Sequence, residues 1–256
     1  MSSHLYIVTG SSRGLGQALA SQLLAPQHQV LGIARQHSQA LTDQARAAGA
    51  PLTQWPMDLG DPLAAALALA EWLQSPERGA IASATLINNA GLVGQPAHLA
   101  KAPLLALSAA IRVGLEATLL LTASFLSATA DPARFAGPRR VMNISSGLGR
   151  RAMGGAAAYC AAKAGMDHFS RAAALEQAGA PNAVLIESIA PGVIDTDMQA
   201  ELRGADAAMF PERVQFEAMQ SQGQLVSPAA CAAQLLRHLH GPRFGQEVIT
   251  DIRNAG

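Results

Sequence analysis

Tyr159 and Lys163 stand four residues apart in the run Tyr159-Cys160-Ala161-Ala162-Lys163. A helix over that alanine-rich stretch puts both side chains on one face. A free phenol ionises near pH ~10, too high for easy proton exchange at neutrality. An adjacent ammonium favours the phenolate and lowers that value, which would make Tyr159 a general acid or base. Ser146 comes thirteen positions earlier, after the strand-like Val141-Met142-Asn143-Ile144. Its hydroxyl is placed to hydrogen-bond a substrate carbonyl at the carboxyl edge of a sheet, where open α/β folds bind ligands. A Tyr and a Lys at this spacing are by themselves ordinary surface residues. Their meaning depends on what lies upstream.

Upstream, the first strand-like run ends in Thr9-Gly10-Ser11-Ser12-Arg13-Gly14-Leu15-Gly16 and passes straight into a helix-forming segment. Gly10, Gly14 and Gly16 let the chain turn sharply and bring backbone N–H groups close to an anion. The positive end of the following helix points at the same place. Strand, glycine loop and helix in this order read as a dinucleotide site rather than a plain tight turn. The next strand end reads Gly32-Ile33-Ala34-Arg35-Gln36, with no acid to hold a ribose 2′-hydroxyl. Arg35 and Arg13 instead supply two guanidiniums suited to a 2′-phosphate, which points to NADP(H) rather than NAD.

With these residues in place, the chain resembles a short-chain dehydrogenase/reductase over almost its whole length. Thr9–Gly16 is similar to the family's TGxxxGxG loop, which extends the cofactor set to Ser12 and Leu15. Asn88-Asn89-Ala90-Gly91 resembles its NNAG element, so Asn89, Ala90 and Gly91 are expected at the cofactor. Ser146, Tyr159 and Lys163 match its catalytic serine and YxxxK motif. Pro191-Gly192-Val193-Ile194-Asp195-Thr196 resembles its PG motif, implying nicotinamide contacts from Pro191, Gly192, Val193 and Thr196. Asp58 and Leu59 occupy the place where the family meets the adenine. The resemblance further implies that Lys163 holds the nicotinamide ribose and that hydride passes between nicotinamide C4 and a carbonyl carbon. The loop and layout are also similar to the sepiapterin and benzil reductase branch, which reduces vicinal dicarbonyls. One departure stands out. Where the family commonly carries an asparagine in the long helix before the serine, Ile111-Arg112-Val113-Gly114-Leu115-Glu116 offers Gly114. Glycine removes the side chain and weakens a helix by ~1 kcal/mol relative to alanine.

The elements that must position these residues alternate regularly. Apolar, β-rich runs fall at Leu5–Thr9, Gln29–Ala34, Leu52–Met57, Thr85–Asn88, Arg140–Ile144, Val184–Ile189 and Glu247–Thr250. Helix-like stretches lie between them at Gly14–Leu24, Ser38–Ala48, Leu63–Gln74, Pro103–Thr129, Ala156–Gln177 and Pro228–Leu239. Alternation of this kind predicts an α/β fold: a single Rossmann-type, doubly wound parallel sheet of about seven strands with helices on both faces. No linker divides the 256 residues, so one domain over 1–256 is expected. The stretch at about 197–226 breaks the alternation and reads as a substrate lid.

Composition narrows the function further. Eighteen basic residues balance eighteen acidic ones, which excludes the positive field of a nucleic-acid or polybasic membrane-surface binder. Cys160 and Cys231 form no disulfide framework or metal set, and Cys160 reads as a small core thiol. His238 and His240 lack partners at metal-ligand spacing and read as surface or capping residues, so no metal is expected. No apolar run approaches the ~18 residues of a membrane span and the start does not read as a signal peptide, so a cytoplasmic protein is expected. Leu92, Val93, Met198, Leu202, Met209 and Phe210 in the two pocket-shaping loops favour a small apolar carbonyl or alcohol substrate. The two long helices resemble those that form four-helix dimer interfaces in the family, implying a homodimer or homotetramer. These readings converge on an NADPH-dependent oxidoreductase reducing a ketone or dicarbonyl, with Tyr159 as proton donor. The alternative is a nucleotide-binding regulatory or interaction protein with a weakened site.

Overall fold

The computed structural model describes residues 3–75 and 80–254; Met1-Ser2, at the chain start, lies outside them. Its seven strands are β1 (Ser3–Thr9), β2 (His28–Ala34), β3 (Leu52–Pro56), β4 (Ile81–Asn88), β5 (Arg139–Ile144), β6 (Val184–Ala190) and β7 (Ile249–Asp251). They form one sheet in the order β3-β2-β1-β4-β5-β6-β7, with every pairing parallel. The order reverses at β1 and β4, leaving a crevice at their carboxyl ends.

Two apolar layers explain why the strands read as continuous hydrophobic runs. Leu5 and Ile7 of β1 face a core with Leu69 and Leu73 of α3 (Pro62–Gln74), and with Leu121 and Phe125 of the helix Ala117–Ala128. Tyr6 and Val8 face the opposite core with Leu19 of α1 (Gly14–Gln22) and Leu235 and Leu239 of the helix Pro228–His240. Alternate residues thus serve opposite faces, as a pleated strand buried on both sides requires.

The other helices are α2 (Gln39–Ala48), α4 (Leu104–Ile111), α5 (Ala117–Ala128), α6 (Ala157–Gln177), α7 (Asp197–Arg203), α8 (Arg213–Ser221) and α9 (Pro228–His240). Local chemistry sets several of their starts. Asp61 caps α3 through the Ala64 N–H and Ser227 caps α9 through the Ala230 N–H, each followed by proline at the first helical position. The expected Pro103–Thr129 helix is continuous from Leu104 to Ala128 but carries a π-helical turn at Arg112–Glu116. Despite Arg112 and Glu116, its 25 residues are long and apolar enough to cross a membrane by length and composition, contrary to the expectation from uninterrupted apolar runs. Here it packs on α3 and α6 and turns Leu104, Leu105 and Leu119 outward.

Between β6 and α9 the chain makes an excursion containing α7 and α8. A parallel bridge from Ile194 to Val226 closes it at the base. Phe210 is fully buried within it, in a third cluster shared with Phe216, Leu202, Leu148 and Tyr159. The excursion therefore packs directly against the helix that carries the tyrosine.

Two expectations need correction here. His238 is not a surface residue: it is buried, with Nε2 2.7 Å from Oε1 of the fully buried Glu187 on β6. The same carboxylate accepts from the Gly245 N–H at 2.9 Å and from the Thr250 hydroxyl, so it fastens α9 and β7 to the sheet. A buried carboxyl group demands such partners. β7 itself begins two residues later than its β-rich run, at Ile249.

Candidate active site

One cleft at the carboxyl edge of β1, β4, β5 and β6 gathers most of the chemically suggestive residues. Gly10, Ser12, Arg13, Gly14, Leu15, Arg35, Asp58, Leu59, Asn89, Ala90, Gly91, Tyr159, Lys163, Pro191 and Thr196 all line it. Four expected residues do not: Gly16, Ser146, Gly192 and Val193. Gly16 sits behind the loop, where a Cβ would fall 2.2 Å from the Gly10 carbonyl oxygen. That position tolerates only glycine. Gly192 turns the chain after β6 at φ +80°, and Ser146 meets the cleft through its hydrogen bond to the Tyr159 phenol, next to Ser145 on the wall. Ile33, Ala34, Met57, Leu92, Val113, Ile144, Ser145, Ile194, Asp197 and Met198 complete the lining. Its free volume is about 260 Å³.

The glycine loop is pinned from below. The Thr9 hydroxyl accepts from the amides of Asn89 (2.9 Å) and Ala90 (3.0 Å), while Asn89 Nδ2 donates to the Thr9 carbonyl at 3.0 Å. Gly10, at φ +68°, leaves no room for a Cβ against Asn89 Nδ2. The first turn of α1 has no side-chain cap and no acidic residue, so its N–H groups are free to meet an anion. Uncapped amides, a cradle too tight for side chains and two arginines fit the phosphates of a dinucleotide. Arg13 and Arg35 share the cleft as expected. Arg13, however, bridges to Asp197 at 2.7 Å, a partner on α7 that sequence reading missed. Both groups are well exposed, so the pair holds weakly and can be exchanged for another anion.

At the other end, α6 presents Tyr159 and Lys163 on one face, both buried. Lys163 Nζ donates to the Ile144 carbonyl at 2.6 Å and lies 5.7 Å from the centre of the tyrosine ring. The Ser146 hydroxyl accepts from the Leu148 N–H at 3.1 Å, capping a short 3₁₀ turn at Gly147–Gly149, and also hydrogen-bonds the phenol. Electrostatics overturn one expectation. The phenol is not lowered by its neighbour: burial pushes it up to about 12, against a smaller opposing pull from the Ser146 hydrogen bond. Burial likewise brings Lys163 down to about 8, with Asp167 pulling it back up. Desolvation disfavours both charged forms, and it outweighs the pairing that sequence spacing suggested.

Gly114 lies within the π-helical turn, buried against α6, and a Cβ there would meet the Ala162 Cβ at 3.2 Å. The glycine lets this helix approach the turn of α6 that precedes Lys163. Gly114→Asn is therefore expected to overpack the contact, costing about 1–3 kcal/mol of stability, and to leave single-turnover hydride transfer unimproved. Thermal unfolding with stopped-flow absorbance checks both; a tenfold gain in turnover would show that the missing amide limits the wild type.

The chain is similar to known proteins over most of its length. A family model described as short chain dehydrogenase matches residues 4–207. A benzil reductase ((S)-benzoin forming) from Bacillus cereus is 34% identical over 244 residues, covering 95% of this chain and 97% of its own. A sepiapterin reductase from Meriones unguiculatus is 32% identical, over 93% of this chain and 92% of its own. A solved short-chain dehydrogenase/reductase from Burkholderia vietnamiensis is 34% identical, covering 98% and 97% of the two chains, with a TM-score of 0.65.

Proposed function

The chain belongs to the short-chain dehydrogenase family of oxidoreductases, and we propose that within it this protein is an NADPH-dependent reductase of small apolar ketones or vicinal dicarbonyls. The observation that carries the reading is the single cleft that joins an anion-binding loop and two arginines to a buried Tyr–Lys pair. Relatives named benzil reductase and sepiapterin reductase support the substrate class. The lining of Leu92, Val113, Ile144, Ile194 and Met198 favours an apolar guest.

A dihydronicotinamide, when bound, would supply the hydride. Gly10, Ser12, Gly14 and Leu15 would hold its phosphates with backbone amides, and Arg13 and Arg35 its 2′-phosphate. Asp58 and Leu59 would meet the adenine. Asn89, Ala90, Gly91, Pro191 and Thr196 would hold the nicotinamide half, with Gly16, Gly192 and Val193 shaping the turns behind. Ser146 orients the phenol and the substrate oxygen. Tyr159, a neutral phenol far below its raised pKa, gives its proton to that oxygen as it becomes an alkoxide. Lys163 in its ammonium form steadies the ribose and the tyrosine's developing charge. The excursion at about 197–226 acts as the lid, and residues 1–256 act as one catalytic domain. Exposed Leu104 and Leu105 on α4 extend an apolar face suited to a second copy of the chain. The protein works as a cytoplasmic homodimer or homotetramer, with no nucleic-acid or membrane partner.

The test is NADPH absorbance during incubation with a panel of ketones and vicinal diketones, repeated with NADH. Diketone-dependent consumption is expected with NADPH preferred at least about tenfold, the lower value of a charged hydrogen-bonded contact. A preference for NADH would overturn the cofactor reading. Binding without consumption would favour the regulatory alternative.

A further inference from the structure

The cluster behind Lys163 is as ordered as the site in front of it. Asp167 lies one turn further along α6, with its carboxylate only 3% exposed. Its Oδ1 accepts from the Ser145 hydroxyl at 2.6 Å and the Ser188 hydroxyl at 2.7 Å. Its Oδ2 accepts from Arg150 Nε at 3.2 Å. Three separate elements, the end of β5, the middle of β6 and the segment after the 3₁₀ turn, therefore converge on one buried carboxylate. Gly149 makes the last approach possible, since a Cβ there would fall 3.0 Å from both Asp167 Oδ2 and the Lys163 carbonyl. Arg150 is itself tied to the Thr250 carbonyl at 2.7 Å.

We propose that Asp167 is a positioning residue for Lys163, a buried carboxylate held one helical turn behind the buried ammonium by Ser145 and Ser188, with Arg150 bound to its far oxygen. Lysine and aspartate at i,i+4 on one helix face are neighbours. The ammonium has one backbone acceptor, the Ile144 carbonyl, with the thioether of Met166 4.0 Å away. Among the described residues, the π-helical turn packed on α6 carries Arg112 and Glu116, both exposed. Tyr159 shares its helix face and stays neutral, β6 contributes the uncharged Ser188, and the loop after β4 brings only the backbone of Gly91. From the β7 side, Asp251 feels Arg150 but is committed to Arg253 at 2.6 Å. Asp167 is thus the near counter-charge. Burial pulls the lysine down while this carboxylate pulls it up, so removing the negative charge lowers its titration and removing the guanidinium raises it. Serving the proposed reductase, the arrangement keeps the ammonium populated at neutral pH.

The chain contains only two lysines, 101 and 163, and Lys101 is exposed. Protein labelled with ¹³Cε-lysine therefore gives two signals to titrate by NMR, assigned with a Lys101→Arg variant. Lys163 is expected to titrate near 8 in the free protein. Asp167→Asn should lower its midpoint by about one to three pH units, and Arg150→Gln should raise it. Opposite shifts support the assignment, because loosened packing has no reason to reverse sign between the two variants. An unmoved Lys163 in Asp167→Asn, or a lowered one in Arg150→Gln, would overturn it. Should Asp167→Asn fail to fold, the half-exposed Arg150→Gln decides alone. The titration needs no substrate or cofactor, so its failure is separate from a failure to reduce carbonyls.

Discussion

Tyr159→Phe lowers carbonyl-reduction turnover by about 10²–10⁴-fold, the contribution of a positioned proton donor, while NADPH affinity stays near that of the wild type. The substitution keeps the ring that packs with Leu148, Phe210 and Phe216, so that apolar cluster survives. Only the ionisable hydroxyl and its bond to Ser146 are lost. Steady-state kinetics and quenching titrations with NADPH read the two effects separately. The pH dependence follows from the lysine. Lys163 is an ammonium below about 8 and neutral above it, so wild-type reduction is full on the acid side and falls as pH rises through that value. The phenol, raised to about 12, stays a donor across the whole range. Near-normal reduction by Tyr159→Phe would remove the tyrosine from the mechanism.

Arg35→Ala raises the KM for NADPH about ten- to a hundredfold and leaves that for NADH nearly unchanged. The estimate comes from a charged bidentate contact worth roughly 1.5–3 kcal/mol. Arg35 bears the larger share because Arg13 already holds Asp197, and a phosphate must displace that carboxylate to gain its second guanidinium. Arg13→Ala should consequently cost less than Arg35→Ala. Equal losses for NADPH and NADH would place Arg35 on a part of the cofactor common to both.

Much of this architecture is written in short-range patterns. Runs such as Leu5-Tyr6-Ile7-Val8 announce buried parallel strands, because both faces of the sheet are covered. The glycine loop and the Tyr–Lys spacing are local, and local geometry brings them to the cleft. What could not be read is long-range. Glu187 and His238 are 51 positions apart, so nothing nearby in sequence marks the histidine as buried. Arg13 and Asp197 meet across 184 positions. Asp167, fixed by Ser145, Ser188 and Arg150, reads as an ordinary polar helix position until the sheet brings those donors together. The raised phenol is hidden for a related reason: spacing reveals the neighbouring ammonium but not the burial that outweighs it. Gly114 reads as a missing side chain, whereas the structure shows a helix contact that needs the space.

In the proposed reaction one cleft delivers hydride from a reduced 2′-phosphorylated dinucleotide to a carbonyl carbon while Tyr159 protonates the oxygen. The most direct measurement follows deuterium from C4-deuterated NADPH during single turnovers with a vicinal diketone, for wild type and Tyr159→Phe. Deuterium on the carbinol carbon of the wild-type product, and at least about a hundredfold slower transfer in the variant, is the predicted result. NADPH that binds without transferring deuterium, or transfer at equal rates in both proteins, would contradict it.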